Sequence, residues 1–179
     1  MRAGFIGLGT MGTSMALNVR AAGYDVIVND LRRAASAPHL KAGAAWADSA
    51  RQVAEAADVV FTSLPGPREV EEVALSENGL FASMRRGTAW FDLSTNSPTV
   101  VRRLHERFVK EGISMLDSPV SGGPAGAKSR KLALWAGGDK AVFDRHKPVL
   151  DAIGDQAMYV GPIGAGTVAK LVHNTAGYA

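Results

Sequence analysis

The 179-residue chain contains no cysteine, and this absence rules out disulfide bonds and thiolate metal sites. It also lacks a charged and apolar leader, and no apolar run is long enough to span a bilayer, so we expect a cytoplasmic protein without membrane contacts. Apolar residues make up 46% of the chain, which is enough for a substantial core. The chain is therefore expected to be globular.

The chain also lacks a large excess of charge of either sign, since its formal net charge is only +3. Lysines and arginines are scattered and cluster only at Lys128-Ser129-Arg130-Lys131. The sequence shows no interleaving of basic and aromatic residues and no motif that reads a nucleic-acid groove, so we expect no nucleic-acid partner. A modest basic excess suits anionic small molecules equally well.

The most informative motif is Gly7-Leu8-Gly9-Thr10-Met11-Gly12, which follows the apolar run Ala3-Gly4-Phe5-Ile6. It predicts a strand that turns sharply into a helix: Gly7 permits the turn, Gly9 lets backbone approach a phosphate, and Gly12 lets the helix pack on the strand. A dinucleotide's pyrophosphate would then face the positive helix N-terminus. Because glycine accounts for 20 of 179 residues, the motif alone is equally compatible with a purely structural turn.

The residues after the loop give the motif a context. A helix is predicted over residues 10–22, ended by Gly23, and then a short apolar strand over residues 25–29. This strand delivers Asp30 about 20 residues beyond the glycines, where an acid binds the ribose 2′-hydroxyl. A carboxylate there favours NAD over NADP. The alternative interpretation is that Asp30 is a solvated loop residue. Arg32 and Arg33 are either partners for a 2′-phosphate or solvated residues at a helix start.

Strand and helix patterns alternate along the rest of the chain. Strands are predicted at residues 44–46, 58–62, 88–92, 113–116, 131–136 and 157–160, and helices at 34–41, 49–56, 69–75, 98–110, 140–152 and from 165 onward. Such alternation predicts an α/β fold of the Rossmann type, with a doubly wound, mostly parallel sheet. The last helical pattern stops without a cap or breaker, which suggests the N-terminal part of a longer protein, although a naturally short chain has the same pattern.

Four blocks of sequence resemble one known family. They are FIGLGTMGTSMA at residues 5–16, DLSTNSP at 92–98, DSPVSGGPAGA at 117–127 and GAGTVAKLVHN at 164–174. With these blocks in order, the chain resembles the β-hydroxyacid dehydrogenases, which include 3-hydroxyisobutyrate dehydrogenase, tartronate semialdehyde reductase and, more distantly, 6-phosphogluconate dehydrogenase. The resemblance implies a dinucleotide-binding domain over residues 1–162 and the start of an interdomain helix over 163–179. It further implies a C-terminal all-helical domain, absent from these residues, that closes the site and builds a homo-oligomer.

The resemblance also implies roles for individual residues. The cofactor-binding set comprises the glycine loop and three later strand ends: Gly7, Leu8, Gly9, Thr10, Met11, Gly12, Asn29, Asp30, Leu31, Leu64, Pro65 and Thr95. Ser121, Gly122 and Gly123 are implied to bind the substrate carboxylate. Lys170 is implied as the catalytic residue and Asn174 as the residue that positions the substrate. No metal is required.

These roles define a reaction. We expect an oxidoreductase that transfers a hydride between NAD, or NADP, and a small β-hydroxy acid or semialdehyde, with poor turnover by the isolated 179 residues because the site stays open to water. Lys170 and Asn174 are four residues apart and share a helix face. Apolar neighbours Val168, Leu171 and Val172 predict a largely buried helix, where burial lowers the pKa of a lysine. The alternative is a non-catalytic dinucleotide-binding or interaction module.

Most of these residues also have a purely structural interpretation. Pro65 is typical of a turn, and Ser94-Thr95 is typical of a capping segment before the next helix. Residues 119–126 have the composition of a Gly/Pro-rich loop. A lysine in a helix, such as Lys170, is usually a solvated surface charge.

The chain also departs from the family pattern at three places. His173 stands where hydroxyisobutyrate-type members carry asparagine, and either binds substrate or fills a helix face. Gly177 stands where phosphogluconate enzymes carry glutamate, so phosphogluconate is not assigned as substrate. The basic cluster at 128–131 is either a solvated hairpin rim or favours a more acidic substrate.

Overall fold

A mostly parallel sheet forms the centre of the chain, because short apolar strands alternate with helices that have one apolar face. In the computed structural model, which describes residues 1–177, nine strands belong to this sheet. They are β1 (Arg2–Ile6), β2 (Asp25–Asn29), β3 (Ala45–Trp46), β4 (Val59–Thr62), β5 (Ala89–Asp92), β6 (Ser114–Asp117), β7 (Val120–Ser121), β8 (Ala133–Gly137) and β9 (Gln156–Gly161).

Eight α-helices connect or follow these strands within the described residues. They are α1 (Gly12–Ala21), α2 (Ala37–Lys41), α3 (Ala50–Ala56), α4 (Pro67–Leu75), α5 (Pro98–Lys110), α6 (Gly123–Ser129), α7 (Lys140–Ile153) and α8 (Ala165–Gly177), with a 3-10 turn (Arg33–Ser36) before α2. None of the helices in residues 1–177 is both long and apolar enough to cross a bilayer.

The strand order brings several carboxyl ends to one edge of the sheet. Strands β3-β2-β1-β4-β5-β6 run parallel in that order, β8 runs antiparallel to β6 and β7, and β9 pairs in parallel with β8. Ile6 pairs with both Asn29 and Thr62, Thr62 pairs with Asp92, and Asp92 pairs with Asp117. The loops that follow these residues therefore lie side by side, at the edge where open α/β sheets bind ligands.

Two apolar layers cover the two faces of the sheet. On one face Phe61 lies between Phe5 and Phe91, with ring centroids 6.1 and 5.7 Å away. On the other face Trp90 packs on Phe108 of α5, with 5.0 Å between centroids. Successive residues of a strand point to opposite faces, and burial on both faces explains why the strands are continuously apolar. The predicted doubly wound fold is confirmed.

The structural alternative for residues 119–126 is wrong. That alternative was a plain Gly/Pro-rich loop, but these residues contain β7 and the start of α6. Gly122 and Gly123 turn the chain with φ of 130° and 62°, Pro124 is tolerated in the first turn of α6, and Gly126 lets the helix pack against Leu132. The basic cluster is consequently the C-terminal end of α6 and not a hairpin rim, with Arg130 in the left-handed conformation that ends the helix.

The predicted burial of the last helix is also wrong. Val168, Leu171 and Val172 are 43%, 38% and 63% exposed, whereas the buried residues of α8 are Gly166 and Thr167. The helix contacts the sheet through its first turn and through His173, whereas its apolar stripe is left exposed by the described residues. Of the predicted interdomain segment 163–179, residues 178 and 179 lie outside the described residues, and the boundary after residue 162 stays a prediction.

Candidate cofactor and substrate site

The three glycines of the first turn differ in what the fold requires of them. Gly7 has φ of +93°, and its N–H donates to the carbonyl of Asn29 at 2.9 Å. A Cβ at Gly12 would collide with the carbonyl oxygen of Gly7. A Cβ at Gly9 would meet no atom within 4 Å. Packing therefore explains Gly7 and Gly12, and only Gly9 is left with open space at the N-terminus of α1, where an anion is favoured.

Asp30 lies against this loop although it is 22 positions after Leu8 in the chain. Its Oδ2 accepts the N–H of Leu8 at 2.7 Å, and its Oδ1 accepts the N–H of Arg32 at 2.8 Å. The side chain is only 11% exposed. The structure thus brings the predicted ribose-binding acid beside the predicted phosphate loop.

Two sequence neighbours of Asp30 have polar partners in the fold, and a third is exposed. The side-chain amide of Asn29 donates to the carbonyl of Ala47 at 2.9 Å, so it holds the chain after β3. Arg33 is bound to Asp48 at 3.1 Å, and its guanidinium lies 5.2 Å from the centre of the Trp46 ring. Leu31, by contrast, is fully exposed beside the site.

The loops after β4 and β5 are tied together by polar contacts. The N–H of Leu64 donates to Ser94 Oγ at 2.9 Å. Below them, the buried Asp92 carboxylate accepts from Thr62 Oγ1 at 2.9 Å, from the Ser94 N–H at 3.1 Å and from Asn96 Nδ2 at 2.8 Å. Burial nevertheless raises the pKa of Asp92. Ser94 therefore fixes the neighbouring loop, while Thr95 stays exposed.

The predicted carboxylate cradle comes from β7 and the turn into α6. Ser121 ends β7, and Gly122 and Gly123 follow with positive φ. His173 of α8 brings its Nδ1 to 3.5 Å from Ser121 Oγ, and its ring lies 5.0 Å from that of Trp135 on β8. His173 therefore packs against the sheet and also stands next to the cradle.

Lys170 and Asn174 are on α8, one turn apart. Lys170 is half-buried, and this desolvation lowers the pKa of its amine, the direction expected for a lysine that exchanges protons. Asn174 is also half-buried.

A single cleft joins the separate parts of the predicted site. Its volume is about 290 Å³. The residues that line it come from five segments of the chain: Met11, Ser63, Leu64, Leu93, Ser94, Thr95, Val120, Ser121, Gly122, Gly123 and Lys170. Pro65 and Asn174 are not among these lining residues, nor is Asp30, which follows β2 and accepts a hydrogen bond from Leu8 of the glycine loop. The structure thus places three of the predicted cofactor residues (Met11, Leu64 and Thr95), the Ser121-Gly122-Gly123 cradle and Lys170 around one cleft.

Several lining residues were missed from the sequence. Ser63, Leu93, Ser94 and Val120 contribute to the cleft. Leu93, Ser94 and Val120 stand inside the DLSTNSP and DSPVSGG blocks, so their position beside residues with implied roles was a usable signal.

A doubly wound sheet with a strand–glycine turn–helix unit and an acid at the end of the second strand defines a Rossmann-type dinucleotide-binding domain. Residues 2–161 match the family described as the NAD binding domain of 6-phosphogluconate dehydrogenase. The chain belongs to this family.

Individual relatives agree with that membership. The chain is 42% identical to the NAD-dependent L-serine dehydrogenase of Pseudomonas aeruginosa, over 95% of this chain and 57% of that protein. It is 39% identical to the 2-hydroxy-3-oxopropionate reductase of Escherichia coli, over 97% of this chain and 59% of that protein. The solved 3-hydroxyisobutyrate dehydrogenase of Mycobacterium tuberculosis with L-serine superposes with a TM-score of 0.91 at 35% identity, covering 98% of this chain and 59% of that one. The chain therefore spans less than two thirds of these relatives.

Proposed function

We propose that this chain forms the cofactor site and supplies the proton-transfer lysine of an NAD-dependent dehydrogenase or reductase of small β-hydroxy acids and semialdehydes. The observation that carries the proposal is the shared cleft. Thr95, the Ser121-Gly122-Gly123 turn and Lys170 come from distant segments and line one space beside the glycine loop. The named reactants of the relatives above, L-serine and 2-hydroxy-3-oxopropionate, are small carboxylates with oxygen on the β-carbon.

The residues at the glycine loop fit a dinucleotide. Gly9 leaves open space, the first turn of α1 contains no acidic residue that would repel a phosphate, and Asp30 offers a carboxylate to a ribose hydroxyl. When bound, the nicotinamide ring of NAD accepts or returns the hydride. Leu64 and Thr95 line the part of the cleft assigned to that ring.

The contacts around Asp30 support NAD over NADP. A 2′-phosphate would meet the negative charge of Asp30. The two neighbouring arginines already have partners: Arg33 is bound to Asp48 and packed on Trp46, and Arg32 Nε lies 3.6 Å from Asp30 itself.

Ser121, Gly122 and Gly123 are proposed to hold the substrate carboxylate. The Ser121 hydroxyl is a hydrogen-bond donor, and backbone amides in a turn with positive φ form an anion-binding concavity. Asn174, one turn beyond Lys170, is proposed to orient the substrate by hydrogen bonding.

Lys170 is proposed to exchange the proton. In the oxidation direction its neutral amine takes the proton of the substrate hydroxyl, and in the reduction direction the ammonium returns it to the carbonyl oxygen. Because burial lowers the pKa of Lys170, the neutral form is more accessible than for a solvated lysine.

Initial rates of NADH formation test this proposal. The intact protein is assayed with a panel of small β-hydroxy acids, and NADH oxidation with the matching semialdehydes, for wild type, Lys170→Ala and Lys147→Ala. Lys147 is an exposed lysine of α7 paired with Asp151, so its loss should be nearly neutral. We expect Lys170→Ala to lose at least about a hundredfold in kcat while still binding NAD.

The competing function is a dinucleotide-binding module without catalysis. It predicts tight NAD binding, no turnover with any acid or semialdehyde, and no effect of Lys170→Ala. That combination would replace the enzyme proposal.

We further propose that the intact protein is a cytoplasmic homo-oligomer that binds no nucleic acid. The exposed apolar stripe of Val168, Leu171 and Val172 supports burial of α8 by a further protein surface. Light scattering after size-exclusion chromatography tests the oligomer, and a DNA and RNA titration tests the absence of nucleic-acid binding.

A further inference from the structure

Asp117 is a buried carboxylate that accepts its hydrogen bonds from residues at the start of helix α8. It ends β6 and is 1% exposed. Its Oδ1 accepts the Gly164 N–H at 2.8 Å, and its Oδ2 accepts the Thr167 N–H at 2.6 Å and the Thr167 hydroxyl at 2.7 Å. Gly164 precedes α8 and Thr167 is in its first turn, so the carboxylate binds the helix N-terminus, where the helix dipole favours negative charge.

The same residue is close in sequence to the substrate cradle. Ser121 lies four positions after Asp117, and the N–H of the intervening Ser118 donates to the carbonyl of Asp92 at 2.7 Å. On the other side, Lys170 lies three residues after Thr167, one turn further on the same helix face. Asp117 therefore connects the strand that carries the cradle to the helix that carries Lys170.

The start of α8 is closely packed against the sheet at two glycines. A Cβ at Gly166 would collide with the carbonyl oxygen of Trp135. A Cβ at Gly137 would lie 2.6 Å from Asp117 Oδ1 and 2.9 Å from the Gly166 N–H nitrogen. Both glycines let the helix N-terminus contact β8 directly, next to the Asp117 carboxylate.

We propose that Asp117 is a positioning residue that holds Lys170 at the cleft and in register with the Ser121-Gly122-Gly123 cradle. The proposal rests on the proton-transfer role of Lys170 proposed above. Asp117 does not contact the reactants. Its effect is exerted through the hydrogen bonds to Gly164 and Thr167.

Asp117→Asn tests the proposal, because the amide keeps the shape but replaces one acceptor by a donor that faces other donors. We expect kcat to fall about tenfold to a hundredfold, since small misplacements of a reacting group have effects of that size. The affinity for NAD, measured by titration calorimetry, should stay within about twofold, because the glycine loop is untouched. The matched control is Asp139→Asn, which alters a carboxylate that caps α7 through the N–H groups of Ala141 and Val142 at 2.8 and 3.2 Å. Both bonds use Asp139 Oδ1, and the amide retains that acceptor, so this control should change neither the fold nor kcat.

A second readout does not depend on turnover. The pH dependence of acylation of Lys170 by a small amine-reactive reagent, read by mass spectrometry, reports the environment of its amine. We expect this profile to move in Asp117→Asn and to stay unchanged in Asp139→Asn. If wild type shows no dehydrogenase activity but the profile moves, the positioning role stands and the proposed reaction fails.

The proposal is overturned if Asp117→Asn folds yet keeps wild-type kcat and the wild-type labelling profile. Should Asp117→Asn not fold, Thr167→Val removes only the hydroxyl bond and keeps the side-chain shape. We expect that variant to fold, to lose roughly threefold in kcat because two of the three bonds remain, and to shift the labelling profile in the same direction. Wild-type behaviour of Thr167→Val in both readouts would then overturn the proposal.

Discussion

Single alanine substitutions at Gly9 and Gly12 should separate ligand binding from packing within one loop. A Cβ at Gly9 meets no atom within 4 Å, and Gly9 is not among the glycines with positive φ. Alanine therefore fits the folded chain without strain and restricts only the unfolded chain, which stabilises by about 0.4–1 kcal/mol. For a domain of this size, Tm should rise by about 1–4 °C.

Gly12→Ala should have the opposite effect on stability. Its Cβ would overlap the carbonyl oxygen of Gly7 and lie 3.3 Å from Phe5 Cε1. The obstacle is backbone, which cannot rotate aside as a flexible side chain can. We expect a loss of about 1–3 kcal/mol, or a fall in Tm of about 2–12 °C.

Cofactor affinity completes the comparison. In Gly9→Ala the methyl group fills the space through which phosphates approach the backbone, so NAD should bind at least about tenfold more weakly, equivalent to about 1.4 kcal/mol. Scanning and titration calorimetry measure the two effects. Gly177→Ala is the matched control, because a Cβ there also meets nothing within 4 Å, far from the loop in sequence. A folded Gly9→Ala protein with wild-type NAD affinity would refute the assignment of the phosphate site.

Asp30, Lys170 and Asp92 are ionisable groups at or below the site, and each can be tested by substitution. Asp30→Ser should weaken NAD by about tenfold or more and strengthen NADP, because a hydrogen bond to a charged group contributes about 1.5–3 kcal/mol; an unchanged preference in titration calorimetry would contradict the role of Asp30. Burial lowers the pKa of Lys170 from 10.5, so kcat for alcohol oxidation should rise with pH until the amine is neutral and then level off, and an equally steep profile in Lys170→Ala would argue against this base. Burial raises the pKa of Asp92 from 3.8, so the folded chain holds that proton more tightly than the unfolded chain. The contribution of Asp92 to stability is then greatest at low pH and is lost as pH rises through the raised pKa. In urea unfolding, the difference in free energy of unfolding between wild type and Asp92→Asn should therefore shift against wild type as pH rises.

Most of the fold was predictable because its signals are local. Short apolar strands bounded by glycine, and the helix start at Ser97-Pro98, predicted elements such as α5 with the bounds that the structure shows. The helix α6 was missed for the opposite reason. Its sequence, GPAGAKS, is typical of a loop, and the glycine at 126 is explained only by the proximity of Leu132, which the sequence does not reveal.

The site divides in the same way. Gly7, Gly9, Gly12 and Asp30 were predictable from spacing, because one strand, one helix and the next strand bring them together within 25 residues of sequence. The exposure of the apolar stripe on α8 was not predictable, since the 3.6-residue period shows that a helix has an apolar face and does not show what covers it.

By itself, the sequence determined the alternation of strands and helices, the glycine loop and the residue types available for chemistry. Only the tertiary structure decided that the Ser121 turn and Lys170, 49 positions apart in the chain, line one cleft. It also decided that Asp117 binds the start of α8. The physical reason is that helix dipoles, buried carboxylates and close glycine contacts act over a few ångströms, and only the folded sheet brings those distant residues within that range.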